Sequence, residues 1–526
     1  MLRPTAITRL RWLVPIVAAC LVASGCEPAP PTAPPTLAPP TLASPAPSDL
    51  PQPTRPPASP IAEIPFADAV QDAIDIDAIM ADLQQLQAIT DDHGGARPAG
   101  SDGHSAAADF VAGQLRDAGY GVELQKVDLP VFTQTGPGTL EIKGVNPRAF
   151  DDIHDFKAML FSPSAELTAP LYALGYNPQA GAADADGLGC SPEDWLSVPA
   201  GVVALVQPGN CRRRDAVVQA QVAGAVGIIT AYPAWRRDGV LRPTLIEPSD
   251  IRIPALGVTG EVGNALNDAA ASGASVHISV RTSTVSGSSV NVIGETPWGD
   301  PDHVVMLGGH LDSAVDGPGI NDDGSGTMTV LAIARALTSL AGTGKGPGTP
   351  PPAPAWKVRV ALWTGEEIGL AGSLAWVGRS DAPPLRSIAA YVNLDMLGSR
   401  NGGRYVYDGA ATTRPVESGV LNRLFTRALE ADGLTWQPIA VGSSDNVPFD
   451  QFGIATGGLF SGANEIKTTE QANLFGGTPN APEDACFHLP CDRLDGIDRT
   501  LLRDLARAAA WGVGALASGE VQLSGE

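Results

Sequence analysis

Apolar positions follow several distinct patterns along this chain. Residues 13–22 form an unbroken apolar run behind Arg3, Arg9 and Arg11, too short to span a bilayer comfortably, and Ala23, Ser24 and Gly25 follow it. Residues 28–60 are dominated by proline mixed with Ala, Thr and Ser, a composition that builds no core and favours extended polyproline II. Apolar residues then recur at helical spacing over 69–91 and again over 103–118, through Ala107, Phe110, Val111 and Leu115, so two helices are expected to open the folded part. A strand is expected over 122–131. From about residue 138 the pattern changes to short β-like runs separated by Gly, Pro and Asp, such as 201–207 and 253–258. Beyond Asn291 strands and helices alternate, with strands over 304–308, 357–363 and 389–394 and helices over 326–340 and near 371–377. Strands that are apolar throughout and alternate with helices predict an α/β fold, a mostly parallel (mixed) sheet with helices on both faces. Residues 341–354, rich in Gly and Pro, read as an exposed loop.

Length and charge narrow the picture. A chain of 526 residues exceeds what one core usually holds, so two or more folded units are expected, and 44% hydrophobic residues suffice to fill them. The 34 Lys and Arg against 57 Asp and Glu leave a net charge of −23, which repels phosphate backbones and anionic bilayers and argues against a nucleic-acid partner. Only 17% charged residues, with 59 Gly and 47 Pro, exclude coiled coils and collagen and point to a tightly turned, loop-rich protein.

The amino terminus reads as an export signal over 1–26. The sequence VASGC resembles a bacterial lipoprotein signal, with Cys26 the acylated residue, although Ala23 stands where such signals prefer Leu. The alternative is a plain secretory signal, so the protein is expected outside the cytosol, either as a cell-surface lipoprotein or secreted. Any membrane contact would then run only through a lipid on Cys26. The stretch 27–65 is a disordered tether; at about 3.1 Å per residue it reaches on the order of 100 Å. With Cys20 and Cys26 set aside, the neighbourhoods of the remaining cysteines suggest two local disulfides, Cys190 with Cys211 and Cys486 with Cys491.

Three of the expected strands end in residues that metal ions favour: GGHLDS supplies His310 and Asp312, WTGEEIG supplies Glu366 and Glu367, and NLDMLGS supplies Asp395. GINDDGSG adds Asp322 and Asp323 just before a helix, and CFHLPCD adds His488. Ligands of open α/β sheets bind at such carboxyl ends, and imidazole with carboxylate suits zinc. Each residue alone also suits an ordinary role: a hydrogen-bonded core histidine, a solvated strand end, a helix N-cap. That reading needs coincidence at every strand exit, and carboxylates so grouped repel one another without cations.

Two resemblances add to this reading. The segment GVVALVQPGNC followed by RRRDAVVQAQVAGAVGIIT, a strand, a cysteine turn, a helix and a strand, resembles a protease-associated (PA) domain, a smaller β-rich insert over 138–284. The metal-favouring motifs, in their order and together with RPAGSDGHSAAADFVAGQL and GGLFSGANEIKTTEQANLFGG, resemble the two-zinc aminopeptidases of the secreted bacterial leucine-aminopeptidase type. The peptidase parts would then be 66–137 and 285–526. The resemblance implies the zinc-peptidase fold and two Zn2+ per chain. Asp322 would bridge the ions, His310 and Asp395 would complete one site, and Glu367 and His488 the other. Asp312 would orient the His310 ring, and Glu366 would be the general base toward a water shared by the metals. The substrate would be a peptide or protein N-terminus.

This sequence departs from that family where Phe487 replaces a Tyr, and where Ser443, Ser444, Asp445 and Asn446 stand in place of Arg-Ser-Asp-His; the missing groups help hold the carbonyl oxygen. Related zinc sites serve carboxypeptidases and glutaminyl cyclases, and a non-catalytic PA-domain receptor is a third alternative. No HExxH helix and no GxSxG elbow occurs. If Cys26 is acylated, the protein partitions into detergent and incorporates a fatty-acid analogue, and Cys26→Ser releases it into the medium. An unlabelled, soluble wild type would leave only a secretory signal.

Overall fold

Four strands of near-continuous apolar sequence, Trp356–Trp363, Asp300–His310, Ile388–Leu394 and Ala455–Phe460, lie side by side and parallel. They are the centre of an eight-stranded sheet in a computed structural model that describes residues 63–144, 146–178, 188–209, 211–232, 240, 242–341, 354–379 and 385–523. The export signal with Cys20 and Cys26, the whole proline-rich stretch over 28–60 and most of the loop over 341–354 lie outside the described residues. Antiparallel strands flank the parallel centre: Thr282–Glu295 and Gly121–Gln134 on one side, and Tyr405–Tyr407, itself parallel to Gln437–Ile439, on the other.

Strand alternation divides the apolar runs between two cores. Val305, Leu307, Val358, Val360 and Leu362 face a core shared with the helices Pro65–Asp72, Ile76–Asp92, Asp102–Asp117, Gly326–Ala341, Pro415–Ala431 and Arg499–Ala517. Met306, Ala361 and Trp363 face the opposite way, toward Ala371–Val377 and Asn446–Gln451. Helices therefore cover both faces. The single helix expected over 69–91 is two, because Asp75 adopts an extended backbone and its side chain accepts from the Asp77 N–H at 2.9 Å, restarting the helix as an N-cap. Helical periodicity continues across this break, so spacing alone hides it.

The chain leaves the large sheet through Gly121–Gln134 and returns through Thr282–Glu295, whose antiparallel register runs from Gly121 opposite Glu295 to Gln134 opposite Thr282. Between them a second eight-stranded sheet spans strands from Thr139 to Val280, with its own apolar clusters around Leu205, Ile229 and Ile278 and around Trp195, Val217 and Ile228. Cys190 is bonded to Cys211 in this unit, and Cys486 to Cys491 in the other. Among the described residues no helix is long and apolar enough to cross a membrane.

Below the strand that leads to Glu366, Phe449 stacks on Tyr391 with ring centroids 3.9 Å apart and packs against Trp363 and Trp376 at 5.9 and 5.8 Å. Phe449→Ala is expected to lower stability by about 3–5 kcal/mol, read as a drop in the urea midpoint at unchanged slope. A loss under 1 kcal/mol would mean that this aromatic layer does not support the sheet.

Candidate metal centre

Because the parallel strands point the same way, their carboxyl ends deliver side chains to one edge of the sheet. Asp300–His310 ends in His310, Trp356–Trp363 runs into Thr364, Gly365, Glu366 and Glu367, and Ile388–Leu394 is followed by Asp395. His310 lies opposite Trp363 in the register, which places the histidine beside the start of the glutamate turn. Gly365, at φ +70°, takes the left-handed backbone that begins this turn.

Two groups of donors result. His310, Asp322 and Asp395 form one, and Asp322, Glu367 and His488 the other, with ligand atoms within 4.8 Å of one another in each. Asp322 belongs to both: its Oδ1 lies 3.1 Å from His310 Nε2 and its Oδ2 3.1 Å from His488 Nε2. Glu367 Oε2 is 3.0 Å from His488 Nε2, and Asp395 Oδ1 is 3.7 Å from His310 Nε2. Glu367 Oε1, buried, has no hydrogen-bond partner among the described residues.

The electrostatics favour positive charge here. Burial opposes protonation of His310, yet the nearby carboxylates of Asp322 and Asp395 and the charge of Glu366 hold its pKa well above the usual value. His488 behaves alike, with Glu367 and Asp322 outweighing its burial. Burial would raise Asp322, but the two imidazoles hold it below the ordinary carboxylate range. A pocket that draws protons onto both rings favours a cation at the same place, and imidazole with carboxylate oxygen is the donor chemistry zinc takes. The residues present thus fit zinc.

The surrounding groups differ in detail from expectation. His310 Nδ1 donates to the backbone carbonyl of Asp312 at 3.0 Å, and the Asp312 carboxylate is farther off, at 3.8 Å. That carboxylate instead accepts the N–H groups of Glu366 and Glu367 at 3.2 and 3.4 Å, and burial pushes its pKa up to about 6. Asp312 therefore fixes the His310 tautomer with its main chain and the glutamate turn with its side chain. Asp323 holds no place in either donor group. It accepts from the N–H groups of His310 at 3.1 Å, Met396 at 3.0 Å and Gly326 at 2.8 Å, joining two strand ends to the helix that follows.

His488, at φ +58°, sits in the loop closed by Cys486–Cys491, with the Phe487 ring stacked on its own at 3.8 Å. The same loop leads into Asp492, whose carboxylate accepts from the Asn321 and Asp322 N–H groups at 2.7 and 3.0 Å. Asp445, in the segment that departs from the family pattern, is buried and accepts from Ser373 Oγ at 2.5 Å; burial pushes its pKa up to about 7.

In the sequence Arg97 stands only as the first residue of the longer RPAGSDGHSAAADFVAGQL motif. Its fully buried guanidinium donates to the carbonyls of Leu311 at 2.7 Å and Gly319 at 2.6 Å and also to that of Pro318. Burial lowers its pKa against the opposing charges of Asp492, Asp312, Asp323 and Asp322. No local signal marks it, because its partners lie more than two hundred positions away.

The chain is similar to known proteins. Peptidase family M28 is matched over residues 291–512 and the PA domain over 167–266. The probable lipoprotein aminopeptidase LpqL of Mycobacterium tuberculosis is 36% identical over 476 residues, covering 88% of this chain and 89% of that protein. An aminopeptidase of Pseudomonas aeruginosa is 33% identical over 436 residues, 82% of this chain and 78% of its own. The structure of an aminopeptidase from Aneurinibacillus sp. strain AM-1 covers 86% of this chain and 96% of its own, with a TM-score of 0.66 and 23% identity, a likeness of fold. Sequence identity of this extent over most of both chains, on a fold that brings these donors together, makes the chain a member of peptidase family M28 that carries a PA domain between two strands of its larger sheet.

Proposed function

We propose that this hydrolase is an exported aminopeptidase that holds two zinc ions and removes the amino-terminal residue of peptides. His310, Asp322 and Asp395 would hold one ion and Asp322, Glu367 and His488 the other, with Glu366 as general base. The observation that carries this reading is the position of Asp322, each of whose carboxylate oxygens faces a different histidine at 3.1 Å. Zinc bound at these residues supplies Lewis-acid polarisation of the scissile carbonyl and of a water molecule.

The protein's own groups do the rest. Glu366 follows directly from the strand that Trp363 anchors, and its N–H is held by Asp312, so its carboxylate has a defined place beside Glu367. From there it takes a proton from the attacking water and hands it to the leaving amine. Phe487 has no hydroxyl to offer the developing oxyanion, so that stabilisation comes from other donors.

In this reading a free amine, not a carboxylate, is the recognised end. The nearby cation Arg97 is buried and bonded to backbone carbonyls, so it does not face a substrate carboxylate. Relatives bearing the name aminopeptidase support the same choice. Export is supported by two disulfides and by a relative named as a lipoprotein.

The purified protein is expected to contain two zinc ions per chain by mass spectrometry, to lose aminopeptidase activity on chelation and to regain it with zinc. Undiminished activity after verified metal removal would refute the mechanism, and activity on amino-terminally acetylated substrates in place of free ones would refute the substrate assignment. Glu366→Gln keeps the side-chain shape without the proton acceptor, so kcat should fall by roughly 10² to 10⁴ with zinc content unchanged. Loss of zinc in that variant would instead make Glu366 a ligand. Asp322→Ala should release both ions.

A further inference from the structure

The PA domain does not simply extend from its two connecting strands. A short segment of it, residues 242–246, lies across both turns that carry the candidate metal centre. At one end Arg242 grips Asp316 with two nitrogens, Nε to Oδ2 at 2.9 Å and Nη2 to Oδ1 at 3.1 Å, while its Nη1 donates to the Ala158 carbonyl at 2.7 Å. Lys157 Nζ reaches the same carboxylate at 3.1 Å. The side chains of Lys157, Arg242 and Asp316 are only 6%, 9% and 18% exposed, so salt screens this triad little. At the other end Ile246 holds a φ of +69°, unusual for a β-branched residue. It rests on Gly369 in the turn that follows Glu366 and Glu367; a Cβ at Gly369 would lie 2.8 Å from Ile246 Cγ2. Between the two ends Leu245 is fully buried in a cluster against which Val315 and Ile368 pack, one from each turn.

The turn gripped through Asp316 joins Asp312 to Asp322. Its far side is held by the peptidase part: Arg97 binds the carbonyls of Leu311 and Gly319, the Arg97 N–H donates to Ser313 Oγ at 2.9 Å, and Gly317 lies against the backbone of Leu489 beside His488. A purely packing contact would be served as well by apolar side chains, since burying ions carries a desolvation penalty. A two-pronged ion pair adds a unique register. We propose that Arg242 and Ile246 are positioning residues, through which the PA domain holds the turns bearing Asp322 and Glu366–Glu367 in the register that hydrolysis requires. This rests on the two-zinc reading above.

The test uses the full chain loaded with zinc. Kinetics on a free aminoacyl p-nitroanilide, zinc affinity by chelator competition and thermal melting are compared for wild type, Arg242→Ala, Arg242→Lys, Asp316→Asn, the double Arg242→Ala/Asp316→Asn, and Ile246→Gly. Glycine accepts the positive φ at position 246, so Ile246→Gly removes the contact with the turn without opposing the backbone. Misplacement on the order of 1 Å is expected to lower kcat about 10-fold or more in Arg242→Ala, Asp316→Asn and Ile246→Gly, with smaller changes in KM. Arg242→Lys keeps the charge without the fork and should fall between. The double variant should lose less than the combined losses of its two parents, because both remove the Arg242–Asp316 pair, while Asp316→Asn alone also weakens the contact with Lys157 and Arg242→Ala alone the bond to the Ala158 carbonyl. If Asp316→Asn and Ile246→Gly keep kcat and zinc affinity within about twofold of wild type, or only melt earlier at unchanged kcat per folded molecule, the proposal is overturned. A wild type without zinc or without activity would count against the metal-centre reading instead.

Discussion

Asp312, Asp322, Asp323, Glu366, Glu367 and Asp395 are gathered at one end of the sheet with two imidazoles, and confining so many acidic groups to low dielectric is the constraint around which the molecule is arranged. Like charges at this density stay together only if each carboxylate has a defined partner. Most partners are of two kinds: Asp323 and Asp492 accept backbone N–H groups, as Asp312 does from the glutamate turn, and Asp322, Glu367 and Asp395 share the two histidines. Arg97 adds a buried positive charge behind them and binds the carbonyls of the intervening turn.

Such an allotment demands backbone accuracy, and the parallel sheet supplies it. Neighbouring parallel strands are locked by evenly spaced hydrogen bonds, so their ends keep a fixed separation. Aromatic packing of Phe449 with Tyr391, Trp363 and Trp376 stiffens the strand that leads into Glu366. His488 comes from outside the sheet, on a loop that has no strand to fix it, and there the Cys486–Cys491 bond and Asp492 take over the role of hydrogen-bonded neighbours.

The PA domain enters the same scheme. Its two connecting strands extend the sheet edge, and its segment 242–246 meets the two turns that the strands alone leave unsupported. The two folded parts thus share one structural problem, the placement of loops at the carboxyl edge.

Much of this is legible without coordinates. Continuous apolar runs predict three of the four central strands to within a few residues, since burial on both faces leaves no other composition for them, while the fourth, Ala455–Phe460, carries two glycines and is not expected from the pattern. His310, Glu366, Glu367 and Asp395 stand out because each comes just after or at the end of such a run, whereas Asp322 and His488 stand in loops. The paired cysteines are likewise close in sequence. What escapes the sequence is partnership across distance. Asp75 divides a helix whose periodicity looks unbroken; Asp312 turns its carboxylate to Glu366 and Glu367 rather than to His310; Arg97 and Arg242 find their partners 222 and 74 positions away. Periodicity and composition record how deeply each residue is buried, because burial is an average property of a position. Which donor meets which acceptor depends on chain crossings and side-chain directions, and these exist only once the sheet has brought distant segments together.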